Sequence, residues 1–446
     1  MAPRGLQGRH FHYRTVVALA LTGALLAACS STPSSSGTSG PGGGGTISLG
    51  IVGPDTGSSA AIGVAIGAPG FAAVYEINAA GGILGRKVKG VTIDDTGDPA
   101  DAVPNVEKAI ATVSNFDFAL GIDSNVAATV VPLLNRARIP MMSLNGLSLF
   151  IHNKYPYFWR MTSPDVALGS ALGIFDQKLH FSHPAILTQN DSGDQGNLPG
   201  LEYALQKEGV QPVENVTVTG DQSSYLGTIS STIAKHPDSI IVSADTQTTA
   251  ALLKEYKSLN NGKIPPMISP TENIGLTFYK ALVSSAGSAY PTKDVFLVGG
   301  YVPSNTVQYN LYMRAIQATG SDNPGGKPIP QAVAQAVGAL YDGGIIMALA
   351  MDMSHSTKGS VYDSYIAKVS TASPEAEVVH TYAAGLQALK QGKRIDYVGV
   401  DGQAKFNRYN ISVDSFGAYG LTTTGNTTQV KAVVGGPELA ADVPSA

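Results

Sequence analysis

The chain has 446 residues and a formal net charge of −4, with an isoelectric point near 6.1. It therefore lacks the basic footprint by which proteins hold nucleic acid or acidic lipid. The hydrophobic share of 43% suffices for a globular core, and the single cysteine, Cys29, excludes a disulfide within the chain.

From the start, Arg4, Arg9 and Arg14 form a basic region ahead of a short apolar run, Val16 to Ala28. A membrane span needs about 20 apolar residues, so this run reads as a secretory signal segment, residues 1–28. Leu26-Ala27-Ala28-Cys29 resembles the bacterial lipoprotein processing box. Cys29 is expected to become a lipidated N-terminus that holds the protein to the cell membrane by burying acyl CH₂ groups. An intact mass showing unmodified Cys29 in membrane-extracted protein would refute that. Residues 30–45 are Ser, Thr, Gly and Pro, too polar to offset the entropy of ordering, so 29–45 reads as the lipidated cysteine and a flexible tether.

About 400 residues remain, enough for two or three lobes. Thr46 to Val52 is a short apolar run with β-branched residues, a buried strand. Gly53-Pro54-Asp55-Thr56-Gly57 is a turn. A helix over Ser59 to Asn78 is expected to place Phe71, Val74, Tyr75 and Ile77 on one buried face, and Gly81-Gly82 stops it. Val88 to Ile93 is the next strand, followed by a polar turn, Asp94 to Pro99. Strand, helix and strand make a βαβ unit and imply a parallel sheet. The alternation continues with a helix over 102–113, a strand over 116–121, a turn at 123–125, a helix over 126–138 and a strand over 139–143. These strands end in polar loops on one sheet edge, and open α/β sheets bind ligands outside the carboxyl ends of their strands.

A crossover is expected over 153–162, after which the alternation repeats. Helices are expected over 166–179, 198–208, 226–235, 248–259 and 274–285, and strands over 184–189, 211–218, 239–243, 266–269 and 295–299. A second crossover is expected at Tyr301-Val302-Pro303, followed by long helices over 308–319 and 331–353 and a strand-rich tail after Ile395 holding a third. After the signal segment, no stretch reads as long and apolar enough to span a membrane; Leu340 to Met353 comes nearest.

The first βαβ unit resembles that of the branched-chain amino-acid (Leu/Ile/Val) type of ABC-transporter substrate-binding proteins. The matching pieces are Gly53-Pro54-Asp55-Thr56-Gly57, the run from Glu76 through Arg86, and Asp94 through Pro99, in order and at the right spacing. Phe158-Trp159-Arg160 with Pro164-Asp165, and Ala339-Leu340-Tyr341-Asp342, match further family segments. The resemblance implies a type I periplasmic-binding-protein-like α/β fold, with two doubly wound parallel-sheet lobes joined by three hinge crossovers. Lobe 1 is expected over 46–161 and 302–408, lobe 2 over 162–301 and 409–446. It implies an extracytoplasmic, lipid-anchored protein, monomeric and without a cofactor, that captures a small polar solute and delivers it to an ABC permease. A sensor lobe for amides or urea is the alternative within the fold.

Enzyme signatures are missing: no His-Glu-x-x-His, no Gly-x-Ser-x-Gly and no phosphate loop occurs. The histidines are scattered, so a membrane-anchored hydrolase using Asp95 or Asp98 is a weaker reading. Asp94, Asp95 and Asp98 could bind a hard cation, but Asp at a helix N-terminus is the commoner cause of such a cluster. No metal is expected.

The candidate contacts lie in the strand-end loops. Ser124 and Asn125 precede a helix and Asn145-Gly146 follow a strand, where hydroxyls and amides can hold a carboxylate without a counter-charge; ordinary capping can coexist with that role. The resemblance implies that these two loops hold the ligand's α-carboxylate. The first loop is one residue short of the family pattern, so Ser124 and Asn125 compete for one role. Asp55 in the first turn is a further candidate. Three family aromatics of the side-chain pocket are replaced here by Ile62, by Ser192 in Ser192-Gly193, and by Asp245. The family's acidic group for the ligand amine survives as Glu272, with one extra residue before it. Such a pocket is expected to refuse leucine, isoleucine and valine, because an apolar side chain would leave Asp245 buried and unpaired.

Overall fold

Seven buried residues in succession make β1 (Ile47–Gly53) a central strand. The computed structural model describes residues 45–434 apart from 58–59, 272–273, 303–305, 325, 327–328, 413–414 and 429–430. The signal segment, Cys29, the tether up to residue 44 and Glu272 lie outside the described residues.

After β1 come α1 (Ala60–Ala79), β2 (Val88–Asp94), α2 (Pro99–Thr112), β3 (Phe116–Gly121), α3 (Ser124–Arg136), β4 (Met141–Ser143) and β5 (Phe158–Arg160). The strands form one parallel sheet in the order β2-β1-β3-β4-β5. Asn78 shows why the Ile-Asn-x-x-Gly-Gly run closes the first unit. Its side chain accepts from Val88 N at 2.9 Å and donates to Val88 O at 2.8 Å, tying the end of α1 to the start of β2. Gly81 and Gly82 take the left-handed φ values, 108° and 81°, that the turn between them needs. One sheet face packs Ile51, Leu120 and Met142 among the helices that return late in the chain, and the other packs Val52, Ala119 and Met141 with α2 and α3.

The second lobe repeats the pattern with α4 (Asp165–Lys178), β6 (Pro184–Gln189), α5 (Ser192–Lys207), β7 (Glu214–Val218), α6 (Leu226–Ala234), β8 (Ser239–Ser243), α7 (Thr246–Leu259), β9 (Met267–Pro270), α8 (Leu276–Ala286), α9 (Tyr290–Lys293) and β10 (Val295–Gly300). The chain then returns to the first lobe through α10 (Val307–Ala318), α11 (Gln331–Ala336), α12 (Gly338–Ser354), α13 (Gly359–Tyr362), α14 (Ile366–Val369), β11 (Glu377–Val379), α15 (Tyr382–Lys390), β12 (Ile395–Gly399) and β13 (Gly402–Gln403). Finally β14 (Phe416–Gly420) and β15 (Ala432–Val434) join the second sheet, whose order is β15-β14-β10-β9-β8-β6-β7. β14 runs antiparallel to both neighbours, so this sheet is mixed at one edge.

The links between lobes lie side by side. Arg160 N donates to Asn410 O at 3.0 Å, Ser412 N donates to Arg160 O at 2.8 Å, and Tyr301 N donates to Ser415 O at 2.8 Å. The first and second crossovers therefore each bond to the third.

Several sequence expectations need correction. Residues 158–160, expected within the crossover over 153–162, form the sheet strand β5, and the first crossover leaves from its last residue, Arg160. α5 starts at Ser192 instead of residue 198. The long helix expected over 331–353 breaks at Val337 into α11 and α12. In the tail expected to be rich in strands, Ile411 forms an isolated bridge to Arg160. One stretch, Ile62–Ala79 within α1, is long and apolar enough to cross a membrane by length and composition, but half of it is buried inside the fold, as a core helix requires.

Candidate functional site

The carboxyl ends of β1, β2 and β3 bring four aspartates to one edge. Asp94 organises the first turn: its Oδ1 accepts from the backbone N–H groups of Asp55 (3.0 Å), Thr56 (3.3 Å) and Thr96 (3.0 Å), and its Oδ2 from Thr56 Oγ1 at 2.6 Å. Burial pushes its carboxyl upward, but these bonds outweigh burial and hold it below the usual range. Asp55, half-buried beside it, is pushed up to about 6 by burial and then by the Asp94 charge. Asp95 has no exposed surface. Its Oδ1 accepts from Gly97 N at 2.9 Å, while Oδ2 has no partner among the described residues. Burial and the facing Asp123 push it up to about 7. Asp123 caps α3, accepting from Asn125 N at 2.8 Å, and its Oδ2 also lacks a partner among the described residues. Burial raises Asp123 as well. Among the described residues no lysine or arginine forms a salt bridge with any of the four.

The expected contact residues fall into two groups. Ser124 is the first residue of α3, and its Oγ accepts from Gly146 N at 3.1 Å. Asn125 is half-buried in the same turn, its N–H taken by Asp123. A Cβ placed at Gly193 would lie 4.0 Å from Ser124 Cβ, so the neighbour of Ser192 in the second lobe comes up against the first. Ser192 itself is exposed at the start of α5, which Asp191 caps. Asp55, Ser124, Asn125, Gly146 and Ser192 thus all sit on loops or helix starts at the facing sheet edges. Ile62 lies 37% exposed in the first turn of α1, and no polar contact ties it to the others.

Asn145 is fully buried rather than presented on an open loop. Its Nδ2 donates to Ser143 Oγ at 2.6 Å and its Oδ1 accepts from Leu147 N at 3.2 Å, so the side chain braces the loop from inside. Asp245 is the N-cap of α7: one oxygen accepts from Gln247 N and Thr248 N, both at 2.8 Å, and the other from Thr248 Oγ1 at 3.1 Å. It is half-buried and satisfied, which removes the reason given for refusing leucine. Asp245 N donates to Gln189 Oε1 at 3.2 Å and Gln189 Nε2 donates to Asp191 Oδ2 at 3.1 Å, so Gln189 ties the caps of α5 and α7 together.

Sequence reasoning gave Asp123 only as part of a turn and Arg160 only as part of a family segment, and it passed over Gln189. Asp123 had a signal, since Asp just before an apolar helix is a capping pattern. Of the acidic run, only Asp98 is a helix cap, accepting from Ala100 N at 2.8 Å. Among the described residues no three His, Cys, Asp or Glu side chains are arranged to hold a metal ion. A cavity of about 300 Å³ lined by His236, Tyr256, Lys263 and Pro265 lies at the amino edge of the second sheet, away from these loops. Strand-end geometry, not cavity volume, is what locates the site.

Residues 46–360 match the family model described as periplasmic binding protein. A curated protein from Pseudomonas aeruginosa, an amino acid binding protein, is 29% identical over 177 residues, 37% of this chain. The chain spans about 45% of that relative's length. Among solved structures, the branched-chain amino acid transporter substrate-binding protein LivJ of Streptococcus pneumoniae, in complex with isoleucine, has a TM-score of 0.68 at 18% identity, covering 88% of this chain and 99% of its own. A solute-binding protein of an ABC transporter from R. palustris, in complex with benzoate, has a TM-score of 0.67 at 18% identity, covering 88% and 97%. At such identities these structures show the fold alone.

Proposed function

Because the chain belongs to the periplasmic binding protein family, we propose that it is an extracytoplasmic solute-binding protein that captures a small polar solute between its two lobes and delivers it to an ABC permease, with Cys29 as its lipid attachment point. The observation that carries the reading is the meeting of the two carboxyl edges at Ser124, Gly146 and Gly193, where backbone N–H groups, a hydroxyl and a helix start converge. Closure of the lobes around the solute is the motion this architecture supports.

The relatives are solute binders whose described ligands are an amino acid and an aromatic acid. For this chain the aspartates narrow the choice. Asp55, Asp95 and Asp123 lie at one edge, among the described residues no lysine or arginine forms a salt bridge with them, and Asp55 is the most open of the three. A solute bearing an N–H or O–H donor would pair with the half-buried Asp55 carboxylate, whereas an aliphatic side chain laid against it would leave that carboxylate desolvated without a partner. We therefore favour an amine- or hydroxyl-bearing small molecule over leucine, isoleucine and valine.

A thermal-shift screen across amino acids, amides, polyols and aromatic acids tests this. A bound solute at 100 times its dissociation constant adds about 2.7 kcal/mol of stability. At least one donor-bearing solute should raise the melting temperature and be recovered chemically unchanged. A leucine shift as large as any other in the panel, or consumption of the stabilising solute, would overturn the reading.

A further inference from the structure

Arg160, the last residue of β5, has no exposed surface. Its Nη1 donates to two carbonyls, Asn145 O at 3.3 Å and Leu147 O at 3.1 Å. Those carbonyls flank Gly146, whose N–H donates to Ser124 Oγ. The backbone of the same arginine is bonded on both sides to the third crossover, through Asn410 O and Ser412 N. Asp165, at the start of α4 in the second lobe, donates its N–H to Gly146 O at 2.7 Å, and its carboxylate supports the charge of Arg160. That carboxylate lies between the lobes: a Cβ on Gly146 would fall 1.6 Å from Oδ1, and one on Gly196 of α5 would fall 2.7 Å from Oδ2.

Among the described residues, Nε and Nη2 of Arg160 have no hydrogen-bond partner. A buried guanidinium with unmade donors is costly and needs an explanation that filling space does not supply, since an apolar side chain would fill it without the penalty. We propose that Arg160 is the positioning residue that couples the Asn145–Leu147 loop to the hinge. One guanidinium nitrogen sets the loop backbone, the main chain is fixed to the third crossover, and a rotation of α4 carries the Asp165 carboxylate past the two unmade donors. When the lobes move, the Gly146 N–H moves with them. The inference rests on the cleft reading for its purpose, but its test needs no solute.

The test uses closure itself. Ser124→Cys and Gly193→Cys place their Cβ atoms 4.0 Å apart in this arrangement, inside the range of about 3.5–4.5 Å that a disulfide needs. The full chain also carries Cys29→Ser, so that only this pair reacts. The rate of cross-linking in ligand-free protein is compared in the parent, in Arg160→Met and in Leu282→Ala, a buried substitution in the second lobe away from the hinge. The rate should fall about tenfold in Arg160→Met and remain at the parent value in Leu282→Ala. Equal rates in the parent and Arg160→Met, or an equal fall in Leu282→Ala, would overturn the inference. Should Arg160→Met not fold, Arg160→Lys, which keeps the charge but not the planar fork, is read in the same way. A response to Arg160 in a protein that binds no solute in the screen would leave the hinge inference standing and remove the solute reading.

Discussion

Asp95 combines complete burial, an oxygen without a partner and an aspartate facing it, which together push its carboxyl up to about 7. The sign of the consequence is fixed. Between the ordinary carboxylate value, about 4, and the raised value, the folded protein binds more protons than the unfolded one, so stability falls as pH rises through that window. Asp94 acts the opposite way, but its lowered value confines the effect to more acidic pH. The ligand-free protein should melt at a higher temperature at about pH 5 than at about pH 8, and Asp95→Asn should flatten part of that slope. A profile that the substitution leaves unchanged would show that Asp95 does not titrate in this window. At this scale the sequence was only partly legible. Position in a strand-end loop identified Ser124, Asn145 and Gly146 as candidates, but not that the Asn145 side chain turns inward to Ser143 and Leu147. Asp245 read as a loose charge because a cap declares itself only once the helix start is known, and α7 begins at Thr246.

At the scale of elements, the first lobe was legible because each junction carries its own chemistry. Asn78 clamps the end of α1 to β2, and the Asp94 carboxylate gathers the turn after β1. α5 was misread because Gly193, Gly196, Pro199 and Gly200 look like breakers. In the structure Gly196 and Gly200, with Gly169 of α4, let α5 lie directly on α4: a Cβ at Gly200 would stand 1.8 Å from Val166 O, and one at Gly169 the same distance from Asn197 O. Gly200→Ala should therefore destabilise the fold by about 1–3 kcal/mol, the usual cost of overpacking, measured by urea unfolding; a neutral result would contradict the close packing of α4 on α5. The region between α12 and β12 was illegible for a different reason. Its helices and strands are three to nine residues long, too short for hydrophobic periodicity to register.

At the scale of the molecule, two sheets with facing carboxyl edges are linked by three adjacent strands of chain, and the only tryptophan sits at that junction. Trp159 donates Nε1–H to Asp363 at 2.8 Å and meets Phe406, which precedes the Asn410–Ser412 contact with Arg160, edge-on at 5.0 Å. The two-lobe plan followed from the repeated alternation of helix and strand. The resemblance assigned 409–446 to lobe 2, but that β14 and β15 run antiparallel at its sheet edge was not legible, because such an edge leaves no helical interval to mark it. The central claim is that the lobes close on a solute. Small-angle scattering of the wild type, with and without the solute that stabilises it most in the thermal screen, tests this most directly. A smaller radius of gyration with solute, and a profile matching the arrangement in which Ser124 meets Gly193, is the predicted result; saturating solute that leaves the radius unchanged would contradict it.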